Sequence, residues 1–441
     1  MSKTFSMGGV HPHDNKISAN IAIEPFPLPA IAAISLAQHI GAPATPVVQK
    51  GDFVRVGQLI GKATGFVSAN VHASVSGTVK SVEPFVDATG ALSMTIFIET
   101  QGDEWIEGID RSSQIVSNIT LPGPEIIKKI TECGIVGLGG ATFPTHVKLS
   151  PPPGKKATCL ILNGAECEPF LTSDYRIMVE FGEEVLTGAR LMMRALDVQK
   201  CYVGIEENKP QAIQKMVDLS KRFLGTEVVV LKKKYPQGGE KQLIDAIIKR
   251  QTPSLGLPVD VGAVVQNVGT ALAVYEAVQK NKPLIDKVIT VTGFQLNEQR
   301  NFRVRIGTPL SQLIDAVGGI PENTAKLVLG GPMMGKSIAH QEAPVAKASS
   351  ALLFLSEKET KRHSEGPCIR CAKCVEVCPM RLECYLLYKL GKANRYEELE
   401  QNRIYDCIEC GCCMYGCPAN IPLLDMVRLK KGEVLKIMKN R

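Results

Sequence analysis

Two copies of one cysteine pattern constrain this chain more than any other feature. Ten of its fourteen cysteines lie between residues 368 and 417. The first copy is Cys368-x2-Cys371-x2-Cys374-x3-Cys378-Pro379, and the second is Cys407-x2-Cys410-x2-Cys413-x3-Cys417-Pro418. Three evenly spaced cysteines, then a fourth followed by proline, form a ligand run for a [4Fe–4S] cluster. Structural zinc closes its tetrahedron with paired C-x2-C arms and has no use for the third cysteine at the same spacing. A disulfide framework belongs to an oxidising compartment and usually to a small secreted domain.

The doubled run resembles the two-cluster bacterial ferredoxins, in which the fourth cysteine of each run ligates the other cluster. That resemblance implies Cys368, Cys371, Cys374 and Cys417 on one cluster, with Cys407, Cys410, Cys413 and Cys378 on the other. The crossing would tie both motifs into one unit and bring the clusters close enough to exchange single electrons. Cys384 and Cys412 fall outside the pattern and read as buried thiols beside the clusters, since free Cys behaves as a small hydrophobe.

A length of 441 residues suggests about three domains at roughly 100–200 residues each. The 44% hydrophobic and 22% charged composition provides for a sizeable core. The net charge of +7 is mild; it suits an acidic partner or an anionic membrane face and is too diffuse for nucleic acid. Lys232-Lys233-Lys234 reads as a solvated face. No apolar stretch approaches the roughly 20 residues of a membrane helix, and the first residues lack a signal-peptide apolar region. The expectation is a cytosolic protein that meets a membrane only through partner subunits.

Along the chain, residues 1–24 are polar and irregular. Their His11-Pro12-His13-Asp14 offers metal-ligand types but reads as an ordered surface loop. Residues 25–105 carry short β-segments broken by Gly and Pro, which predict a small barrel or sandwich. The phrases from Gln49 to Ile60 and from Ala73 to Val79 resemble biotinyl and lipoyl carrier domains. The stretch joining them, 64–70, has no acceptor lysine, so the carrier fold is expected without the carrier function.

From residue 106 the pattern changes. Helical stretches at 180–196 and 209–223 alternate with β-branched runs at 157–162, 201–205 and 227–231, which argues α/β with a mostly parallel sheet. Residues 284–350 predict a β-grasp-like module, and 351–441 a helical two-cluster domain with helices at 381–401 and 423–438. The overall expectation is a multidomain α/β protein. Its parts are a β-rich barrel-sandwich-like domain (1–105), an α/β nucleotide-binding domain (106–283), the β-grasp-like module and the cluster domain.

Outside the cysteines, the densest chemistry is the stretch from Gly134 to Lys148. Gly137, Gly139 and Gly140 let backbone N–H groups surround a phosphate, a helix beginning just after them adds its positive end, and Lys148 offers a point charge. The spacing matches neither a Rossmann nor a Walker loop, and tight packing without a ligand is the alternative. Asn163-Gly164-Ala165-Glu166-Cys167-Glu168-Pro169 follows a predicted strand, at the edge where open α/β sheets bind ligands. There Asn163 offers an amide, and Glu166 and Glu168 offer carboxylates suited to ribose or ribityl hydroxyls. A polar turn is the bland reading.

G-x-G-G-A-x-F-P-T-x-x-K followed by N-x-x-E-x-E-P resembles the flavin loop of the NADH-oxidising flavoprotein subunit of respiratory complex I. The stretches Tyr235 to Leu243 and Val265 to Thr270 are similar to that family's later nucleotide-contacting segments. There are two departures: Lys241 replaces an acidic residue of a Gly-Glu-Glu motif, and Gly269 replaces the Glu of Asn-Val-Glu-Thr. The four modules in this order, with two clusters in place of one, resemble the C subunits of Rnf complexes, which are ion-translocating ferredoxin:NAD oxidoreductases.

The resemblance implies noncovalent FMN near Gly137, Gly139, Gly140, Lys148, Asn163, Glu166 and Asn267. It also implies NAD(H) over the flavin, with Phe143, Glu168 and Glu240 as contacts. NADH delivers two electrons as a hydride while each cluster takes one, and a flavin bridges the two. Hydride passes directly between nicotinamide and flavin, so no catalytic acid or base is expected. The function expected is a peripheral subunit on the cytoplasmic side of a membrane, exchanging electrons with ferredoxin-like and membrane subunits of an Rnf complex and so coupling ferredoxin/NAD redox to ion transport. The alternatives are a soluble NADH-dependent corrinoid reductase of a bacterial microcompartment and a flavin-free iron–sulfur relay.

Overall fold

The computed structural model describes residues 2–440. Its centre is a sheet of four parallel strands: β1 (Cys159–Gly164), β2 (Cys201–Glu206), β3 (Thr226–Leu231) and β4 (Ala263–Asn267). Successive side chains of a strand point to opposite faces. Leu160 and Leu162 of β1 join the core under helices Gly182–Leu196 and Val268–Gln279. Cys159 and Ile161 join the core under helix Glu240–Ile248. Both faces are covered, which is why β1 reads as an unbroken apolar run. The strand order is β3-β2-β1-β4, so the winding direction reverses between β1 and β4. Ligands of open α/β sheets bind in the crevice outside the strand ends at such a reversal. Here those ends are Asn163 and Asn267, paired directly across the ladder.

The N-terminal barrel-sandwich packs a four-stranded sheet against a three-stranded one around Ile34, Val54, Ile60, Ile96 and Ile98. Its loop 63–70, where a carrier would bear its lysine, rests on the α/β domain instead. The Asn70 side-chain amide donates to Glu132 O at 3.1 Å, and a His146 ring nitrogen lies 3.0 Å from Phe66 O.

The β-grasp sheet differs from the sequence expectation at both ends. Ala351–Ser356, expected at the head of the cluster domain, lies inside this sheet between Asp286–Thr292 and Thr324–Leu329. Ile23–Pro25, expected among irregular residues, adds a parallel strand at its edge beside Arg300–Arg305. Strand pairing between distant segments leaves no local sequence mark. Upstream of that strand, the first residues form an arm over the α/β domain: Lys3 bridges Leu231, and Val10 bridges Tyr235. The arm carries His11 and Asp14, whose side chains meet Lys233 O and Asn208 respectively.

In the cluster domain the two cysteine runs repeat in backbone as well as sequence. Left-handed residues recur at matching places in each: Arg370, Ala372 and Arg381 in the first, Glu409, Gly411 and Asn420 in the second. The stretch 381–401, expected as one helix, forms two, Cys384–Lys392 and Tyr396–Gln401, parted where Asn394 turns left-handed. The final helix, Leu423–Lys439, packs along the first of them.

Candidate functional site

The glycine loop is pinned as a closed turn. Gly137 N–H donates to Phe143 O at 2.9 Å, Val136 bridges Pro144, and Leu138 N–H donates to the Thr270 hydroxyl at 2.9 Å. At its tip Gly139 and Gly140 are exposed. Gly140 has φ of +118°, and a Cβ there would meet nothing within 4 Å. Only glycine holds that conformation without strain, and the space beside it is an open cradle. The loop, Phe143, Lys148, Asn163, Glu240 and Asn267 all line one cavity of about 1330 Å³. That volume exceeds the ~300–1,000 Å³ usual for one small-molecule site.

The strand-end amides are held in register. Asn163 donates through Nδ2 to Gly238 O at 2.8 Å, and its Oδ1 accepts from Ala165 N–H at 3.2 Å. Asn267 caps the helix that follows β4, its Oδ1 accepting from Gly269 N–H at 2.8 Å while Nδ2 donates to Asp174 Oδ2 at 2.6 Å. Lys148 Nζ donates to Glu240 Oε1 at 2.6 Å and Val265 O at 3.1 Å, which fixes an ion pair on the cavity wall.

The two carboxylates of the N-x-x-E-x-E-P loop do a different job from the one expected of them. Glu166 Oε1 accepts from Asp174 N–H at 2.7 Å and Oε2 from Tyr175 N–H at 3.2 Å, so its charge satisfies the start of helix Ser173–Glu180. Glu168 accepts from Met333 N–H at 3.0 Å and Met334 N–H at 2.8 Å, which ties the β-grasp loop 330–335 to the α/β domain. A Cβ on Gly331 would fall 2.2 Å from Glu168 Oε2, so that close approach depends on glycine. Burial pushes the Glu168 carboxyl up to about 7. Both residues border the cavity, but their oxygens are already committed to backbone amides.

Several residues join the site that sequence reasoning passed over. Lys16, from the N-terminal arm, donates to the carbonyls of Glu166, Glu168 and Leu171 at 2.6–2.9 Å and holds the acidic loop in place. Asp174 lines the cavity with its carboxyl raised to about 7 by burial and by the Glu166 charge. Lys287, from the β-grasp sheet, reaches Leu138 O at 3.3 Å, and burial lowers its ammonium to about 8. No local motif marks any of the three; Lys16 and Lys287 meet partners from another module, and Asp174 meets Asn267 from a distant strand end.

The cysteine runs divide by depth. Cys378, Cys410 and Cys413 are buried and Cys407 is half-buried; Cys368 and Cys371 are exposed, with Cys374 and Cys417 between. The four cysteines of the deeper set line one small cavity closed by Leu382, Leu387, Leu424 and Val427. Backbone amides point at this set: Leu382 N–H lies 3.4 Å from Cys378 Sγ, and Glu409 N–H lies 3.4 Å from Cys407 Sγ. Four thiols around an enclosed space, with N–H donors on the sulfurs, suit a cubane cluster.

Cys410 also lines the large cavity, so the deeper cluster site borders the chamber that holds the glycine loop. Tyr235, 2% exposed, stands at their junction. Its hydroxyl donates to Cys410 O at 2.9 Å, and its backbone pairs with Val10 of the arm. The departure at Lys241 has a tertiary reason: its ammonium lies 3.9 Å from Asp406, the residue before Cys407. The departure at Gly269 has one as well, since a Cβ there would come within 3.0 Å of Asn267 Oδ1, the oxygen that caps this helix.

Comparison with known proteins divides the chain in the same way. Family models match as RnfC barrel sandwich hybrid domain over residues 3–103, Nuo51 FMN-binding domain over 130–276, SLBB domain over 288–337 and 4Fe-4S dicluster domain over 360–418. The chain is 48% identical to the C subunit of the proton-translocating ferredoxin:NAD(+) oxidoreductase complex of Clostridium ljungdahlii, over 98% of this chain and 94% of the relative. Identity is 42% to the C subunit of the Na(+)-translocating ferredoxin:NAD(+) oxidoreductase complex of Acetobacterium woodii, over 97% and 96%. It is also 42% to the C subunit of the ion-translocating oxidoreductase complex of Rhodobacter capsulatus, over 98% and 84%. Four modules in one order, and near-complete coverage of the chain by relatives of one kind, lead to a single conclusion: this chain belongs to the C-subunit family of the ion-translocating ferredoxin:NAD(+) oxidoreductases, the Rnf complexes.

Proposed function

We propose that this chain is the nucleotide-handling electron-transfer subunit of an Rnf-type complex, passing electrons between NAD(H), FMN, two [4Fe–4S] clusters and neighbouring redox subunits. The observation that carries this reading is that one chamber is lined by the glycine loop, both strand-end asparagines and Cys410, which also walls the deeper cluster cavity. Bound FMN supplies the conversion between a two-electron hydride and single electrons.

The chain's own residues position and shield. Gly137, Gly139 and Gly140 present backbone to the flavin phosphate, Lys148 adds a cation, and Asn163 and Asn267 offer amides at the strand reversal. Phe143 and Glu240, on the cavity wall, are the contacts proposed for the nicotinamide nucleotide. Glu166 and Glu168 act at one remove, by fixing helix 173–180 and loop 330–335. Cys378, Cys407, Cys410 and Cys413 hold the deeper cluster, nearer the flavin. Cys368, Cys371, Cys374 and Cys417 hold the outer one, and its exposed cysteines suit electron exchange with a neighbouring redox protein.

Among the described residues no helix is long and apolar enough to cross a membrane. Attachment through the membrane subunits, on the cytoplasmic face, follows from this reading. The comparisons favour neither the corrinoid reductase nor the flavin-free relay.

Anaerobic purification followed by flavin and iron analysis tests the assignment. About one FMN and roughly eight iron per chain are expected from one flavin site and two four-iron clusters. NADH titration should then bleach the flavin and produce two interacting cluster signals by EPR. A chain that takes up iron but no flavin on reconstitution would overturn the assignment.

A further inference from the structure

The deeper cluster cavity is lined by six cysteines, Cys378, Cys384, Cys407, Cys410, Cys412 and Cys413, and a cubane takes four. With the ligands assigned as above, on which this inference rests, Cys384 and Cys412 remain as thiols. They are 4% and 0% exposed, so water does not reach them. Cys384 opens helix Cys384–Lys392 and lines the same small cavity as Cys378 and Cys413. Cys412 sits between two ligands in the chain and lines the same cavity as Cys410. Without a cluster bound, each thiol donates to a carbonyl: Cys384 Sγ to Leu382 O at 3.4 Å, and Cys412 Sγ to Tyr235 O at 3.8 Å.

A thiol has one proton to donate. A cluster-bound thiolate carries negative charge and accepts more strongly than a neutral carbonyl, above all where no water competes. We propose that Cys384 and Cys412 are S–H donors to the ligand sulfurs of the deeper cluster, and that they raise its reduction potential. Hydrogen bonds to sulfur disperse the charge of the reduced cluster, whereas burial disfavours that charge; both are established determinants of cluster potential. The repeat itself supplies a contrast. At the places in the other half that correspond to Cys412 and Cys384 stand Lys373 and Leu423, neither of which has an S–H group. The device is confined to the cluster on the flavin side.

The test uses the intact, cluster-loaded chain, with Cys384→Ala and Cys412→Ala, and Cys384→Ser and Cys412→Ser as variants that keep a donor. Iron content and EPR-monitored redox titration are the readouts. Alanine should leave iron unchanged, shift the midpoint of the deeper cluster to more negative potential and leave the outer cluster where it was; serine should restore part of the shift. Unchanged midpoints with full iron would show that the thiols only fill space. Loss of about half the iron on removing either one would make that cysteine a ligand, refuting the ligand assignment itself. Cys378→Ala separates the two failures, because it should lose a cluster if the assignment holds, whatever the thiols do.

Discussion

The ion pair between Lys241 and Asp406 allows a quantitative check on how the flavin module grips the cluster module. The charges are 3.9 Å apart, with the lysine 23% and the aspartate 6% exposed. At an effective dielectric of about 20, charges at that distance attract by about 4 kcal/mol before desolvation and entropy are counted. Fully exposed pairs retain only ~0.2–1 kcal/mol. Asp406 is buried and also accepts from the Ser254 hydroxyl at 2.6 Å, so it keeps one partner when the lysine is removed. A net contribution of about 1.4 kcal/mol, between these two limits, corresponds to tenfold in a local opening equilibrium. Hydrogen exchange of the segment 403–411 reads that opening directly and avoids the assumption of two-state unfolding, which multidomain proteins violate. Lys241→Met should speed exchange there about tenfold, and Lys241→Glu, which adds repulsion, more than that. Lys241→Met should add little in an Asp406→Asn background. Wild-type exchange in both lysine variants would refute the reasoning, leaving Lys241 an unrelated surface substitution.

Glu168 should impose a pH dependence on stability. Its carboxyl sits at about 7 in the fold, against about 4.3 unfolded, so its contribution is fully present below the unfolded value and is lost as pH rises through 7. Thermal unfolding between pH 5 and 8 should show a loss on the order of 3 kcal/mol that Glu168→Gln removes; parallel pH profiles would count against it. Gly140→Val, which forces a branched side chain into a left-handed backbone at a cost of about 1–2 kcal/mol or more, should reduce flavin content at least tenfold and leave iron unchanged. Tyr235→Phe leaves the Cys410 carbonyl unpaired at a cost of about 1–3 kcal/mol. Chelators should then strip iron from the deeper cluster faster while flavin content holds.

What could be read from the sequence is what local chemistry imposes. Cluster ligation needs cysteines at fixed spacing, and the phosphate loop needs glycines close together, so both were visible as motifs. Strand β1 was visible because burial on both faces demands an unbroken apolar run. Other features depended on which segments meet. Asn163 and Asn267 are about a hundred residues apart and become neighbours only because the sheet reverses between β1 and β4. Glu166 and Glu168 looked like free acids because the amides that claim them come from a helix and from a loop in another module. Lys16 and Lys287 carry no motif at all.

The sequence by itself determined that this chain binds two clusters and places a glycine-rich loop before a parallel sheet, since ligand spacing and backbone access are local requirements. Only the tertiary structure decided which cluster lies next to the flavin site. Depth in the fold belongs to the packed chain: Cys378 of the first run joins Cys407, Cys410 and Cys413 of the second around one enclosed cavity, while Cys368 and Cys371 stay exposed.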